Sequence, residues 1–243
     1  MRKILTLTII ATLISFLACN DTLELSLLDD PNNPTPKTTD LETLYNSVQL
    51  SFEGFLSAPQ GFTMQLSRQI ALVSGNNYQS AFSPTSFDNT WRQAYSNFMP
   101  DANAVIARAE TTEQLFHSGT TKIMKAYVLA TLVDLFGDVP LEDSNQGIEI
   151  LSPNVQSGET IYETAKELAL DGIFDLEENT SVVSRLDNMY NGDSNGWLAA
   201  ANSLILKLAV NTRDFVSFNA LIQEGDFINS QSLDWHLNIV LIE

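Results

Sequence analysis

Side chains that could carry out chemistry are sparse in this sequence of 243 residues. It contains one cysteine, Cys19, and two histidines, His117 and His236, which are far apart. Neither histidine has a metal-ligating or nucleophilic partner at a useful spacing, so we expect one on a helix edge and the other in a tail. The G-x-S-x-G, H-E-x-x-H, P-loop and G-x-G-x-x-G motifs are also missing. The sequence therefore predicts a protein without enzymatic activity and without a cofactor.

One loop has the spacing of a calcium site. The residues "NGDSNG", 191–196, match the first half of a calcium-binding loop, with oxygen ligands at alternate positions and glycine at the turn. The twelfth position is Asn202, however, whereas such loops place a bidentate glutamate there. We therefore expect Asp193 or Ser194 to cap the helix that begins near Trp197, with calcium binding as the alternative.

The position of Cys19 indicates lipid attachment. Arg2 and Lys3 precede an apolar run from residue 4 to 17, and the small residue Ala18 follows it, which is the layout of a secretory signal. The run is too short for a membrane span, which needs roughly 20 residues. The sequence predicts a signal peptide over 1–18 and a lipidated Cys19. The alternative is an ordinary signal peptide cut near a chance cysteine.

Composition and charge limit the classes of partner that the protein can bind. Residues 29–37, "DDPNNPTPK", resist regular structure, so residues 19–39 are predicted to form a flexible tether. Removal of Arg2 and Lys3 with the signal would leave 10 basic and 30 acidic residues, a formal charge of −20. This excess of acid excludes nucleic acid and anionic lipid headgroups as partners, because both require basic residues. Membrane attachment would then depend on the acyl chains.

A second loop favours ligand binding. The stretch "SGNNYQSAFSPTSFDN", 74–89, interleaves aromatic rings with amides and hydroxyls. Sugars present polar edges and apolar faces, so such a mixture suits a carbohydrate site. The alternative is that the rings only pin the loop onto neighbouring helices. The candidate binding residues are Asn76, Asn77, Tyr78, Phe82 and Phe87.

The elements that must position these residues are helices. Apolar residues recur with the helical period along 40–230, and strand patterns are nearly absent. We expect Asp40 to cap the first helix, Pro100 to kink a long segment or start a new helix after Met99, and Gly137 to end the strongest helix. The predicted helical stretches are 41–55, 62–73, 88–109, 121–136, 160–177, 194–208 and 218–224.

The helix pattern predicts an all-α fold. The loops differ greatly in length, which favours three antiparallel pairs, and small residues such as Ala126, Ala130 and Ala165 allow close crossings. Stacked helical hairpins of the tetratricopeptide-like kind meet both conditions. We expect this domain over 40–230, followed by an irregular or truncated tail over 231–243.

Several stretches, in order, resemble the SusD/RagB family of outer-membrane nutrient-binding lipoproteins. They are the lipobox Cys19 with "LLDDPNNPTP", then "WRQAYSNFMPDANAVIARAE", "KAYVLATLVDLFGDVPLED" and "YNGDSNGWLAAANSLILKLAVNTR". The third is the most specific, through Asp134, Phe136, Gly137, Asp138 and Pro140 among others. Trp91, Tyr127, Phe136 and Trp197 have helical core spacing, and we assign them to packing.

The resemblance implies a function as well as a fold. It implies capture of glycans or other oligomers, including peptides, at the cell surface and their delivery to a TonB-dependent outer-membrane transporter, without catalysis. Family members are longer than this chain, so a truncated coding sequence is expected. A helical scaffold lipoprotein that binds only protein is the alternative.

Overall fold

The computed structural model describes residues 39–71, 82–147, 149–180 and 183–234. Within these residues the structure is helical, and its only extended pairing is an isolated bridge between Val139 and Gln156. None of the described helices combines the length and hydropathy that a membrane span requires. The elements are α1 (Leu41–Ser57), α2 (Gln60–Leu66), a 3₁₀ turn (Pro84–Phe87), α3 (Asp88–Arg92), a π-helix (Gln93–Phe98), α4 (Met99–Thr111), α5 (Leu115–Phe136), α6 (Gly158–Glu177), α7 (Ser194–Thr212), α8 (Phe215–Glu224) and a second 3₁₀ turn (Gln231–Leu233).

The first helix follows the sequence prediction. The Asp40 side chain accepts hydrogen bonds from the backbone N–H groups of Glu42 and Thr43, which satisfies two donors that the helix leaves open. Every apolar residue predicted for the inner face is buried: Leu41, Leu44, Tyr45, Val48, Phe52 and Phe55. Capping and periodicity are local properties, and together they place α1.

Two predicted helices differ from the observed ones. The helix predicted over 62–73 begins at Gln60 and ends at Leu66. Arg68 then adopts a left-handed conformation with a φ of 61°. Residues 72–81 lie outside the described part. The segment from Asp88 is divided, because a π-helix over Gln93–Phe98 separates α3 from α4. Pro100 lies in the first turn of α4, as expected for a residue without an N–H donor.

The helices pack as successive antiparallel pairs. Helix α1 pairs with the α3–π–α4 segment, α5 pairs with α6, and α7 pairs with α8, which confirms the all-α arrangement of stacked hairpins. A close crossing joins Gly119 of α5 to Gly172 of α6, where a Cβ added to either residue would lie 2.7 Å from the other's carbonyl oxygen. Glycine at both positions is required for this approach.

The histidine in α5 is not on a helix edge, and that prediction is wrong. His117 is 1% exposed, and its Nε2 lies 3.0 Å from Oε1 of Glu42 on α1. Helix α5 begins at Leu115, so it extends further toward the N-terminus than the periodicity indicated and carries His117 into the core. His236 lies outside the described residues.

The loop with calcium-like spacing serves as a helix cap. Asp193 accepts a hydrogen bond from the backbone N–H of Asn195 at 3.0 Å, so the predicted cap of α7 is confirmed. A second acid in the same loop, Asp187, is 3% exposed and accepts from three backbone N–H groups and from the indole nitrogen of Trp197. The carboxylates of Asp187 and Asp193 thus fix the backbone that leads into α7.

Candidate functional site

A continuous row of aromatic rings crosses one side of the described structure. Its members come from three separate parts of the chain: α2, residues 82–95 and the end of α5. Neighbouring ring centroids are 4.7–6.5 Å apart, which is the range of attractive aromatic pairs. We call this set the aromatic row: Phe62, Phe82, Phe87, Phe136, Trp91 and Tyr95.

Trp91 and Tyr95 form one end of the row. They are four residues apart on one helical face, and their rings stack nearly parallel, 5.3 Å apart at an interplanar angle of 14°. The π-helix begins between them at Gln93, and such segments are frequent at functional sites. Both rings are only partly buried, so the pair presents a flat apolar surface.

The predicted loop residues Phe82 and Phe87 lie in the same row. Phe87 contacts Phe62 at 4.7 Å and Phe136 at 5.7 Å, and Phe82 contacts Phe62 at 6.0 Å. These contacts hold the 3₁₀ turn against α2 and α5, as the packing alternative requires, and they also connect the loop to Trp91 through Phe136. The other three candidates, Asn76, Asn77 and Tyr78, lie outside the described residues, as does Cys19.

An open cleft of about 350 Å³ lies against Trp91 and Tyr95. Its other walls include Arg92, Ser96, Ser144 and Asn145. We call it the aromatic cleft. It combines two stacked rings with hydroxyl, amide and guanidinium groups, the mixture that ligand pockets use to fix orientation.

Hydrogen bonds fix the orientation of these walls. The Tyr95 hydroxyl donates to the carbonyl oxygen of Pro140 at 2.7 Å, and the Asn145 amide donates to the carbonyl of Tyr95 at 2.6 Å. Burial raises the pKa of Tyr95 above its ordinary value, so the phenol stays neutral and protonated near neutral pH. The walls of the cleft are therefore preformed in the absence of a ligand.

The loop between α5 and α6 acts as the support for this wall. The Val139–Gln156 bridge closes it at its base, with two backbone hydrogen bonds of 3.2 and 3.0 Å. Further out, Asp143 accepts from the backbone and side-chain N–H groups of Asn154, and these bonds lower the pKa of the Asp143 carboxyl. The bridge and the Asp143–Asn154 hydrogen bonds thus hold the loop at two points, and they keep Asn145 in one position.

The packing predicted for Trp91, Tyr127 and Phe136 is confirmed, because all three are partly buried against the core. Sequence reasoning did not foresee that Trp91 and Phe136 also belong to the aromatic row and that Trp91 lines the cleft. The signal that could have found them is the i, i+4 spacing of Trp91 and Tyr95, which places two large rings on one face. Trp197, in contrast, is fully buried, as expected.

The site suits recognition of a ring-shaped polar ligand. Flat aromatic faces bind the apolar faces of sugar rings, while hydroxyl and amide groups bind their edges. Among the described residues, no group of three or more histidine, cysteine, aspartate or glutamate side chains is placed to hold a metal ion.

Comparison with known proteins gives a family and a fold. The SusD-like family model, described as "Starch-binding associating with outer membrane", matches residues 31–231. No curated protein sequence matches the chain. Among solved structures, a SusD/RagB family protein from Bacteroides thetaiotaomicron is similar with 20% identity and a TM-score of 0.67, covering 81% of this chain and 44% of that one.

Two further structures resemble the chain to a similar degree. A structure described as "Bacteroidetes AC2a SusD-like" has 17% identity and a TM-score of 0.68, with 82% of this chain and 39% of that one covered. A chitin-binding SusD homologue from Flavobacterium johnsoniae has 16% identity and a TM-score of 0.61, with 76% and 43% covered. The chain thus spans less than half the length of these relatives.

Proposed function

The chain belongs to the SusD-like family, and on that premise we propose that it binds a glycan or another oligomeric nutrient at the aromatic cleft without transforming it. The observation that carries the proposal is the partly exposed Trp91–Tyr95 stack beside Asn145. A sugar ring laid on this stack replaces water on both apolar surfaces and leaves its hydroxyl groups free to reach the polar wall.

The class of ligand is supported from two directions. The family description names starch, and one similar structure is of a chitin-binding protein, so both point to polysaccharide fragments. The charge balance of this chain, 30 acidic against 12 basic residues, disfavours strongly anionic polymers by long-range repulsion. We therefore infer that neutral glycans are the preferred ligands.

We also propose where the protein acts. In this proposal residues 1–18 are a removed signal peptide, Cys19 carries the lipid, and residues 19–39 tether the helical domain to the outer membrane, facing outward. The bound oligomer would pass to a TonB-dependent outer-membrane transporter. A single acyl chain binds a membrane only marginally, so stable attachment requires the more extensive acylation of a lipoprotein.

Replacing Trp91 by alanine tests the binding site. We expect the affinity for a neutral oligosaccharide to fall about tenfold or more, because a stacked ring contributes about 0.5–1.5 kcal/mol beyond the area it buries. The measurement is calorimetric titration of the full chain with maltoheptaose and chitohexaose. Trp91→Phe keeps a smaller ring and should retain part of the affinity.

The matched control is Phe215→Ala on α8. That ring is 64% exposed and lies outside the aromatic row, so its removal should leave the affinity unchanged. Circular dichroism and thermal unfolding show whether each variant remains folded. A folded Trp91→Ala variant that binds like the unaltered chain would place binding elsewhere.

The scaffold alternative is favoured by one observation. Helix α8 buries none of its side chains in the described structure, and Phe215 and Val216 on it are 64% and 83% exposed. An exposed apolar helix face of this kind is suited to contact with another protein. This alternative predicts that the chain gives no heat with any glycan but co-purifies with the transporter, and that Phe215→Asp disrupts the co-purification.

A further inference from the structure

A second cleft lies on the opposite side of the α5 end from the aromatic row. It is bounded by the C-terminal ends of α5 and α7 and the N-terminal half of α6, and it has a volume of about 820 Å³. Asp134, Glu159, Tyr162, Glu163 and Asn211 line it. We call it the polar cleft, and neither the family match nor the aromatic cleft accounts for it.

A preorganised hydrogen-bond network forms its wall. One carboxylate oxygen of Asp134 accepts from the Tyr162 hydroxyl and, at 3.2 Å, from the Asn211 amide nitrogen, which also contacts the Tyr162 oxygen at 2.9 Å. The other oxygen of Asp134 pairs with Nζ of Lys207 at 2.6 Å. Each of α5, α6 and α7 contributes, so the polar groups are fixed before binding and lose little entropy on contact.

The protonation state of the network is also fixed. Burial and the neighbouring Asp134 carboxylate raise the pKa of Tyr162 to about 12. The phenol is therefore a neutral donor near neutral pH. An aromatic ring, a carboxylate and an amide held side by side offer the donors and acceptors that adjacent sugar hydroxyl groups need.

The charges of the cleft select against anions. Lys207 pairs with Asp134, and Lys166 pairs with Asp214 at 3.4 Å, so both cations are engaged. Glu159 and Glu163 have no ion-pair partner among the described residues. Two helix C-termini, those of α5 and α7, add partial negative charge, against the partial positive charge of one N-terminus, that of α6. An uncharged ligand is thus favoured over an anionic one.

The two clefts are connected through one helix end. Asp134 lines the polar cleft, and Phe136 contacts Trp91 of the aromatic cleft with 4.8 Å between ring centroids. Both residues lie in the last turn of α5, and two residues along a helix rotate the side chain to the opposite side. A helix with its side chains is about 10–12 Å across. A chain of several sugar units could therefore contact Trp91 on one side and Asn211 on the other.

We propose that the polar cleft is a second contact site for the same glycan chain, so that the ligand is an uncharged polymer that bends around the end of α5. The proposal rests on the proposed function, because it assumes that the aromatic cleft binds sugar. It goes further in naming a polymer of neutral units and the residues that select its length.

The test compares short and long oligosaccharides in calorimetric titrations. The unaltered chain should bind maltoheptaose more tightly than maltotriose. Asn211→Ala and Tyr162→Phe should each weaken maltoheptaose binding about fivefold, the effect of one lost hydrogen bond, and leave maltotriose binding unchanged. Asn219→Ala, which removes an exposed amide on α8, is the control and should change neither.

The outcomes separate this proposal from the one on which it rests. If Trp91→Ala weakens both sugars while Asn211→Ala and Tyr162→Phe weaken neither, the aromatic site stands and the second contact is overturned. If no sugar binds the unaltered chain, both proposals fail. Tighter binding of oligogalacturonate than of a maltose oligomer of equal length would overturn the preference for uncharged units.

Discussion

Replacement of Asp175 by alanine is expected to lower the free energy of unfolding by about 3–5 kcal/mol. Asp175 on α6 accepts from Nζ of Lys122 at 2.8 Å and from the Ser118 hydroxyl at 2.6 Å, both on α5. The side chains of Lys122 and Asp175 are 10% and 11% exposed, so the pair is largely removed from water. Losing the carboxylate leaves a buried ammonium group with only Glu110, whose side chain is half exposed.

Chemical denaturation of the full chain, monitored by circular dichroism, measures this loss. Asp171→Ala is the matched control, because Asp171 is an exposed acid one turn earlier on the same helix. Replacing both partners, with Lys122→Met and Asp175→Leu, should recover most of the stability, since no uncompensated charge remains. If Asp175→Ala costs no more than Asp171→Ala, the ion pair does not hold α5 to α6.

The pH dependence of the same pair has a definite sign. Burial lowers the pKa of Lys122, but the hydrogen bonds and charges of Asp175 and Glu110 outweigh it and raise the pKa above the ordinary 10.5. A raised pKa in the folded state means that the stabilisation is fully present below pH 10.5 and is lost as the pH rises through the folded value. The difference between the unaltered chain and Asp175→Ala should therefore be constant near neutral pH and shrink in strong alkali.

Replacement of Asp187 by alanine is expected to cost about 3 kcal/mol, because several buried donors lose a charged acceptor. Asp187 accepts from Gly192 N–H at 2.8 Å and from the Trp197 indole nitrogen at 3.0 Å, and Trp197 is fully buried. The same carboxylate accepts from the backbone of Met189 and Tyr190. It thereby fixes the loop that leads into α7.

Asp193 in the same loop is the control for this second variant. It caps α7 at an exposed position, so Asp193→Ala should cost about 1 kcal/mol. Asp187→Asn keeps one acceptor oxygen and should lie between the two alanine variants. Thermal unfolding ranks the stabilities of the three variants. Equal losses of stability for Asp187→Ala and Asp193→Ala would contradict the role assigned to the buried carboxylate.

Local interactions explain which parts of the fold could be predicted. The Asp40 cap, the stop at Gly137 with its φ of 75° and the start of α4 near Pro100 each depend on a few neighbouring residues. Helix periodicity likewise identified the buried faces of α1, α5 and α7. Where the local signal was ambiguous, as in the stretch predicted to be helical over 62–73, the boundary was wrong.

Contacts between distant residues explain what could not be predicted. The pairing of His117 with Glu42 joins residues far apart in sequence, and so does the close approach of Gly119 to Gly172. No local pattern indicates which glycine meets which carbonyl. For the same reason, the position of Phe136 between Phe87 and Trp91 could not be predicted, although its packing against the core could.

By itself the sequence determined the class of this protein: an all-helical chain with the motifs of its family and a strongly acidic charge. These follow from composition, short-range spacing and capping, which act within one or two helical turns. Only the tertiary structure decided that Phe82 and Phe87 join Trp91 and Tyr95, and that Asp134, Tyr162 and Asn211 meet behind them. Such sites are formed by side chains from different helices, and their meeting depends on how the helices pack.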